Sequence, residues 1–182
     1  DLLHTGGRDA VRLLATMALL LLLASLRVPA LQRWRRPLGY FLAAMLASTL
    51  LVGALKQVTN VDCPWDLQGF GGTRPVIHLF DNRPDDLPHA ACFPGAHSSS
   101  GFALLCGYFL FRHRGRRAAL LALAPGLVTG AAFSYAQEAR GAHFLTHDLA
   151  SALLVWLICL AVYAWGFGAD VAPGRARARP LT

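Results

Sequence analysis

The sequence predicts an all-α protein, a polytopic bundle of transmembrane helices, and three observations lead to this prediction. Hydrophobic residues make up 55% of the 182 positions and charged residues only 15%. The apolar residues are collected in blocks whose length approaches the about 20 residues that a helix needs to cross a bilayer. The long alternating segments that are typical of a transmembrane barrel do not occur in the sequence.

Five apolar blocks are predicted to span the membrane. They cover residues 10–28, 38–55, 98–111, 118–136 and 149–166. The third block is short, so its helix must begin in the polar loop that precedes it. We therefore predict one membrane domain over residues 1–170 and a disordered cytoplasmic tail over residues 171–182, which are rich in Pro, Gly and Arg.

The net charge of +7 is concentrated behind alternate blocks. Its arginines form three clusters: Arg33, Arg35 and Arg36; Arg112, Arg114, Arg116 and Arg117; Arg175, Arg177 and Arg179. Because the chain changes side with each span, all three clusters fall on one side, which an excess of basic residues marks as cytoplasmic. The charge therefore predicts topology in a bacterial inner membrane, with the carboxyl terminus inside, and leaves little support for a nucleic-acid partner.

This orientation places the first residue outside the membrane. The chain begins at Asp1 and shows no signal-like amino-terminal segment. We therefore expect at least one further span upstream, which would give six spans in the full protein.

The outward loops carry most of the polar chemistry. Residues 57–97 are broken repeatedly by Pro and Gly, and a second polar stretch covers residues 138–148. Cys63 and Cys92 bracket the long loop and can form a disulfide in an oxidising periplasm, although the pairing cannot be deduced from the sequence.

His97 stands at the start of the third block, after Pro94-Gly95-Ala96. A helix start exposes unpaired N–H groups and attracts anions. Gly95 permits a close backbone approach, Ser98 adds a hydroxyl, and His97 could protonate a leaving group. The alternative is an interfacial histidine beside a serine cap.

The stretch from His143 to Asp148 allows three interpretations. If it is helical, His143 and His147 lie on one face. One histidine could then be a nucleophile, while the other, or Asp148, fixes its tautomer. The pair could also bind a metal ion, or it could mark an interfacial helix start.

Lys56, Arg74 and Arg140 place positive charge on the same side of the membrane. Arg binds a phosphate through its planar fork and Lys through a point charge. Each of them alone could be an interfacial anchor. Together with the two histidine motifs they favour a phosphate site.

These residues resemble the type-2 phosphatidic acid phosphatase superfamily over roughly residues 50 to 165. Its signatures are Lys-x6-Arg-Pro, Pro-Ser-Gly-His and Ser-Arg-x5-His-x3-Asp. Similar patterns occur here in the same order: Lys56 with Cys63-Pro64, then Pro94-Gly95-Ala96-His97, then His143 with His147.

The resemblance implies a mechanism in which His143 forms a phosphohistidine and His97 is the general acid. Lys56 would hold the phosphate, together with the backbone and hydroxyl groups from Gly95 through Ala96 to Ser98. No metal ion or cofactor is implied, because positioning and preorganised positive charge supply the catalysis.

The first two signatures depart from the family pattern. Cys63 stands at the arginine position of the first signature, and Arg74, which is followed by Pro75, is our candidate for that role. Gly95-Ala96 stands where Ser-Gly is usual in the second signature.

The third signature departs as well. Gln137 stands at its arginine position, with Arg140 three residues before His143. His147 occupies the usual aspartate position, and Asp148 follows one place later. The chain also resembles a bacterial branch with Cys-Pro-Trp and Arg-Gly-Ala-His-Phe patterns. The phosphate clamp and the partner of His143 stay open at this point.

The leading hypothesis is an inner-membrane lipid phosphatase whose site faces the periplasm. Its substrate would be polyprenyl diphosphate, phosphatidylglycerol phosphate, phosphatidate or a lipid A phosphate. A phosphotransferase would use the same residues with an acceptor hydroxyl in place of water.

Two hypotheses come from other classes. A metal-dependent hydrolase would draw its ligands from His143, His147 and Asp148 with His78 or His89, although the cations nearby disfavour metal binding. A non-enzymatic lipid-binding subunit would carry interfacial histidines only.

Overall fold

The computed structural model describes residues 6–171, with side chains at all of these positions except 8 and 167–171. Six α-helices make up this part of the chain: α1 (Gly7–Ser25), α2 (Arg35–Thr59), α3 (Ala96–Phe102), α4 (Cys106–Phe111), α5 (Arg116–Glu138) and α6 (Leu145–Val171). Short 3-10 turns lie at Pro29–Trp34, Pro64–Asp66, Ala103–Leu105 and Arg112–Arg114. The prediction of an all-α protein is confirmed for the described residues, in which no strand forms.

Within residues 6–171, three segments are long and apolar enough to cross a membrane: Pro29–Asp66, Arg116–Glu138 and Leu145–Gly166. They contain the second, fourth and fifth predicted blocks, and they indicate a membrane protein. The first block corresponds to α1, and the third is divided between α3 and α4. The count of five spans therefore stays a prediction. Of the predicted tail, Val171 ends α6, and the remaining positions lie outside the described residues.

Glycines allow α3 and α4 to pack closely against α5. A β-carbon at Gly101 would lie 2.8 Å from the backbone nitrogen of Gly130, and one at Gly126 would lie 2.5 Å from the backbone nitrogen of Leu105. Small residues are the usual way for membrane helices to bring their backbones together. Larger side chains at these glycines would separate the helices.

An apolar core of the described residues lies in the half of the bundle farther from Lys56. Tyr40 of α2, Phe109 of α4, and Val155 and Cys159 of α6 are all buried there. The Tyr40 hydroxyl donates a hydrogen bond to the carbonyl of Cys159 at 3.0 Å. This core joins α2, α4 and α6 and leaves the opposite end of the bundle to the polar residues.

The long loop between α2 and α3 returns to its own starting point. Helix α2 ends at Asn60, which has the left-handed backbone (φ 50°) that often closes a helix. Its side-chain oxygen accepts a hydrogen bond from the amide of Ala90 at 2.7 Å. Cys63 and Cys92 form a disulfide, with their α-carbons 5.1 Å apart. The end of α2 is therefore held beside the residues that lead into α3.

Candidate active site

His143 and Asp148 form a buried pair at the start of α6. Nδ1 of His143 lies 2.8 Å from Oδ1 of Asp148, and the side chains are 7% and 2% exposed. Helix α6 begins at Leu145, so His143 precedes it, and Asp148 rather than His147 reaches the ring. The partner that the sequence left open is therefore Asp148. Because Nδ1 is bound to Asp148, Nε2 is the ring nitrogen that can react with a substrate.

Gly95 lies directly against this pair. A β-carbon added to Gly95 would be 2.7 Å from Cε1 of His143, 2.8 Å from Oδ1 of Asp148 and 2.5 Å from Oγ of Ser98. Real β-carbons do not approach other atoms so closely. The turn before α3 therefore fits the histidine–carboxylate pair only because residue 95 has no side chain.

Two hydrogen bonds attach the end of α2 to the same turn. Nζ of Lys56 donates to the carbonyl of Pro94 at 3.3 Å, and the hydroxyl of Thr59 donates to the carbonyl of Phe93 at 2.5 Å. Lys56 is partly buried. Its ammonium is thus placed one residue away from Gly95, on the turn that contacts His143.

His97 is the second residue of α3. Its ring stacks on Phe133 of α5, with centroids 4.6 Å apart and an interplanar angle of 27°. Its Nε2 is shielded from solvent. The aromatic contact sets the orientation of the imidazole, and it depends on the close packing of α3 against α5.

The carbonyl of Gly95 accepts hydrogen bonds from hydroxyl groups on two helices. Oγ of Ser99 lies at 2.6 Å, and Oγ of Ser98 and of Ser151 each lie at 3.1 Å. All three serines are buried. Ser151 is not among the predicted site residues, although it follows His147 by four residues and so shares its helix face.

The structure thus brings Lys56, the turn from Pro94 to His97, and the His143–Asp148 pair to one end of the bundle. A family model described as the PAP2 superfamily matches residues 37–170, which is well over half of the chain. The chain belongs to the PAP2 superfamily. Members of this superfamily are phosphatases, often of lipid phosphates. No match was found among characterised proteins or among solved structures.

Membership of the PAP2 superfamily confirms the resemblance that the three signatures indicated. The match also spans the helices on which the candidate residues lie, from the start of α2 to near the end of α6.

The arginine that a PAP2 signature would place at residue 63 has no direct replacement in this position. Cys63 is in the disulfide, and Arg74 is bound to carboxylates of its own loop. Nη1 of Arg74 lies 2.6 Å from Oδ1 of Asp62 and 3.7 Å from Oδ2 of Asp66. The loop therefore holds Arg74 in place through ion pairs.

Asp62 also binds a second arginine, Arg83, which is not among the predicted site residues. Nη1 of Arg83 lies 2.5 Å from Oδ2 of Asp62, and Nη2 donates to the carbonyl of Pro88 at 2.6 Å. The hydrogen bond to Asp62 raises the pKa of Arg83 above its usual value. The Asp62 side chain is only 3% exposed, so the carboxylate needs these cations. No local pattern in the sequence pairs residues 62 and 83.

Arg140, the other arginine predicted to bind phosphate, lies over the ring of Trp65 at 5.4 Å. The amide of Trp65 donates to the carbonyl of Gly141 at 3.0 Å. Arg140 is exposed, so this PAP2 chain carries it at the surface, between the loop before α3 and the loop before α6.

His147 is buried between aromatic rings rather than among metal ligands. Its ring centroid lies 5.4 Å from Phe93, 5.5 Å from Phe144 and 6.0 Å from His143. His147 and His78 line a cavity of about 230 Å³, with Asp62 and Thr146 among its other lining residues. Among the described residues, no three side chains of His, Cys, Asp or Glu are grouped as metal ligands.

Proposed function

We propose that this protein hydrolyses a lipid phosphate or diphosphate at the periplasmic face of the bacterial inner membrane, through a phosphohistidine on His143. The observation that carries the proposal is the buried hydrogen bond between His143 and Asp148, packed directly against Gly95. A neutral histidine whose Nδ1–H is bound to a carboxylate presents an unprotonated Nε2, which is the nucleophilic form.

The reaction is a transfer in two steps. In the first, Nε2 of His143 forms a bond to phosphorus as the bond from phosphorus to the leaving oxygen breaks, and His97 donates a proton to that oxygen. Asp148 stabilises the positive charge on the ring. In the second step His97 takes a proton from a water molecule as that water attacks phosphorus, the nitrogen–phosphorus bond breaks, and inorganic phosphate leaves.

The phosphate would be held by Lys56, the backbone of Gly95 and Ala96, and the hydroxyl of Ser98. Gly95 lies against the His143 ring, and Lys56 donates to the carbonyl of the residue before it. Such donors suit a transition state with charge on three equatorial oxygens. Arg74 and Arg140 are held by other groups, so we assign them a longer-range part, in which their charge attracts anionic lipids to the outer surface.

The distribution of the arginine residues supports a periplasmic position for the site. The site lies at the end of α2 and the start of α6, whereas Arg35 and Arg36 begin α2, and Arg112, Arg114, Arg116 and Arg117 lie where α4 ends and α5 begins. Basic residues mark the cytoplasmic side, which leaves the site on the periplasmic side.

A phosphotransferase is the second candidate, because the cavity beside His147 lies close to the nucleophile. With a volume of about 230 Å³, it could admit an acceptor hydroxyl instead of water. Both reactions share the phosphohistidine, and they differ only in whether free phosphate or a new phosphate ester is formed.

The first experiment measures phosphate release by the purified protein in detergent, with excess chelator. The substrates are polyprenyl diphosphate, phosphatidylglycerol phosphate, phosphatidate and a lipid A phosphate. The variants are His143→Ala and, as a matched control, His113→Ala, which removes an exposed histidine from the 3-10 turn after α4.

We expect release from at least one lipid by the wild type and by His113→Ala, and none above background from His143→Ala. Full activity of His143→Ala would refute the mechanism. Loss of wild-type activity on adding chelator would instead favour the metal-dependent hydrolase. Transfer of labelled phosphate to an added lipid alcohol would identify a phosphotransferase.

A further inference from the structure

Ser151 connects α6 to the turn that precedes α3. Its side chain is completely buried, and its Oγ lies 3.1 Å from the carbonyl oxygen of Gly95 and 2.7 Å from that of His147. Gly95 and Ser151 are 56 residues apart in the chain. A hydroxyl has one proton to donate, so the two carbonyls share it.

The other donors to the Gly95 carbonyl are local. The hydroxyls of Ser98 and Ser99 reach back from the first turn of α3, as is common for serines near a helix start, and the backbone N–H of Ser99 donates to the same carbonyl at 3.0 Å. Ser151 is the donor that comes from another helix. It therefore fixes the turn relative to α6, the helix that carries Asp148.

The position of this carbonyl determines the direction of an amide. In a trans peptide the carbonyl oxygen of one residue and the N–H of the next point in opposite directions. The Gly95 carbonyl is directed towards Ser151, so the N–H of Ala96 is directed away from it. Gly95 also lies against Cε1 of His143, the ring carbon between the two nitrogens. The peptide between Gly95 and Ala96 therefore lies beside the His143 ring, with its N–H directed away from Ser151.

We propose that Ser151 is a positioning residue for phosphoryl transfer: its hydroxyl holds the Gly95 carbonyl so that the Ala96 amide is aimed at the phosphoryl group on His143. This inference rests on the proposed function. An amide held in advance towards developing negative charge stabilises a transition state more than the substrate. Loss of the Ser151 hydroxyl frees one side of the peptide, so kcat falls while substrate binding is preserved.

The experiment compares Ser151→Ala with Ser151→Thr, which keeps the hydroxyl. The control is Ser48→Ala, since Ser48 is equally buried in α2 and donates to the carbonyl four residues earlier at 2.7 Å, far from the site. Each variant is assayed for kcat and KM, and for inhibition by orthovanadate, a mimic of five-coordinate phosphorus, and by orthophosphate.

For Ser151→Ala we expect kcat to fall by about 10–100-fold and orthovanadate to bind more weakly by a similar factor. We expect KM and inhibition by orthophosphate to change by less than about threefold, because these reflect ground-state binding. Ser151→Thr and Ser48→Ala should stay close to the wild type. A purely structural role would lower the melting temperature and would not weaken orthovanadate binding selectively.

Two results would overturn the inference: wild-type kcat in folded Ser151→Ala, or a lower kcat with unchanged orthovanadate inhibition. If Ser151→Ala does not fold, Ser151→Cys replaces it, because a thiol has a similar shape and is a weak donor. The inference fails separately from the proposed function. Inactivity of His143→Ala together with full activity of Ser151→Ala would remove only the role of Ser151.

Discussion

Substitution of Gly95 tests how closely the turn before α3 is fitted to the catalytic pair. In Gly95→Ala the new β-carbon would lie 2.5 Å from Oγ of Ser98, 2.7 Å from Cε1 of His143 and 2.8 Å from Oδ1 of Asp148. The Ser98 hydroxyl can rotate away, but the ring and the carboxylate hold each other through a 2.8 Å hydrogen bond. To reach 3.4 Å, where ordinary contact begins, the ring must retreat by roughly 0.7 Å.

The cost follows from that displacement. A shift approaching 1 Å at a reacting group can lower a rate by about 100-fold. Overpacking a well-packed site costs about 1–3 kcal/mol. We therefore expect Gly95→Ala to lower kcat by about 100-fold and to reduce the free energy of unfolding by about 1–3 kcal/mol. Gly95→Ser, which introduces the residue usual in the PAP2 signature, should lose at least as much, because its β-carbon meets the same atoms.

The assay is phosphate release under excess chelator, with thermal unfolding followed in the same detergent. The control is Gly53→Ala in α2, where an added β-carbon meets no atom within 4 Å. This control should keep wild-type kcat. If Gly95→Ala kept wild-type kcat as well, the turn would be free to move, and the argument from close fit would be wrong.

Three further changes test other parts of the molecule. Asp148→Asn should lower kcat by about 10²–10⁴-fold with little change in KM, because the amide can favour the wrong tautomer of His143. Steady-state kinetics measure this effect, and an unchanged kcat would remove Asp148 from the mechanism. Cys92→Ser should lose about 3–4 kcal/mol of stability, the chain-entropy value for a loop of 29 residues closed by its bond to Cys63; equal melting temperatures for variant and wild type without reductant would contradict this. Gly126→Val should destabilise the fold by about 1–3 kcal/mol or more, because its side chain would overlap the backbone of the 3-10 turn that precedes α4. A melting temperature equal to that of the wild type would show that α5 can move away.

The apolar blocks predicted the helices well because a helix in lipid needs a continuous run of apolar residues, which is visible locally in the sequence. The predicted span 118–136 lies inside α5, and the span 149–166 lies inside α6. The three polar stretches could also be predicted to meet, since each ends or begins a block on the same side. The length and order of the apolar blocks determine these features, and both can be read directly from the sequence.

The contacts within the site depended on finer features. The sequence allows either His147 or Asp148 as the partner of His143. Helix α6 begins at Leu145, and the histidine before it pairs with Asp148. A helix start is set by backbone hydrogen bonds that several neighbouring residues could make. The ion pair of Arg74 with Asp62 likewise depends on how an irregular loop folds back, which has no periodicity to reveal it.

The short helices α3 and α4 determine how deep the site lies. With the 3-10 turn between them they contain 7, 3 and 6 residues. Their combined length is about 25 Å, against about 30 Å for the hydrocarbon layer. If the third predicted span crosses the bilayer with Arg112 at the inner interface, His97 would lie about 5 Å beneath the opposite boundary. A phosphate that reaches it would then have to sink below the plane of the head groups, or the leaflet would have to thin there. A lipid in that leaflet would reach this depth by lateral movement within the membrane, whereas a soluble phosphate ester would have to leave water to do so.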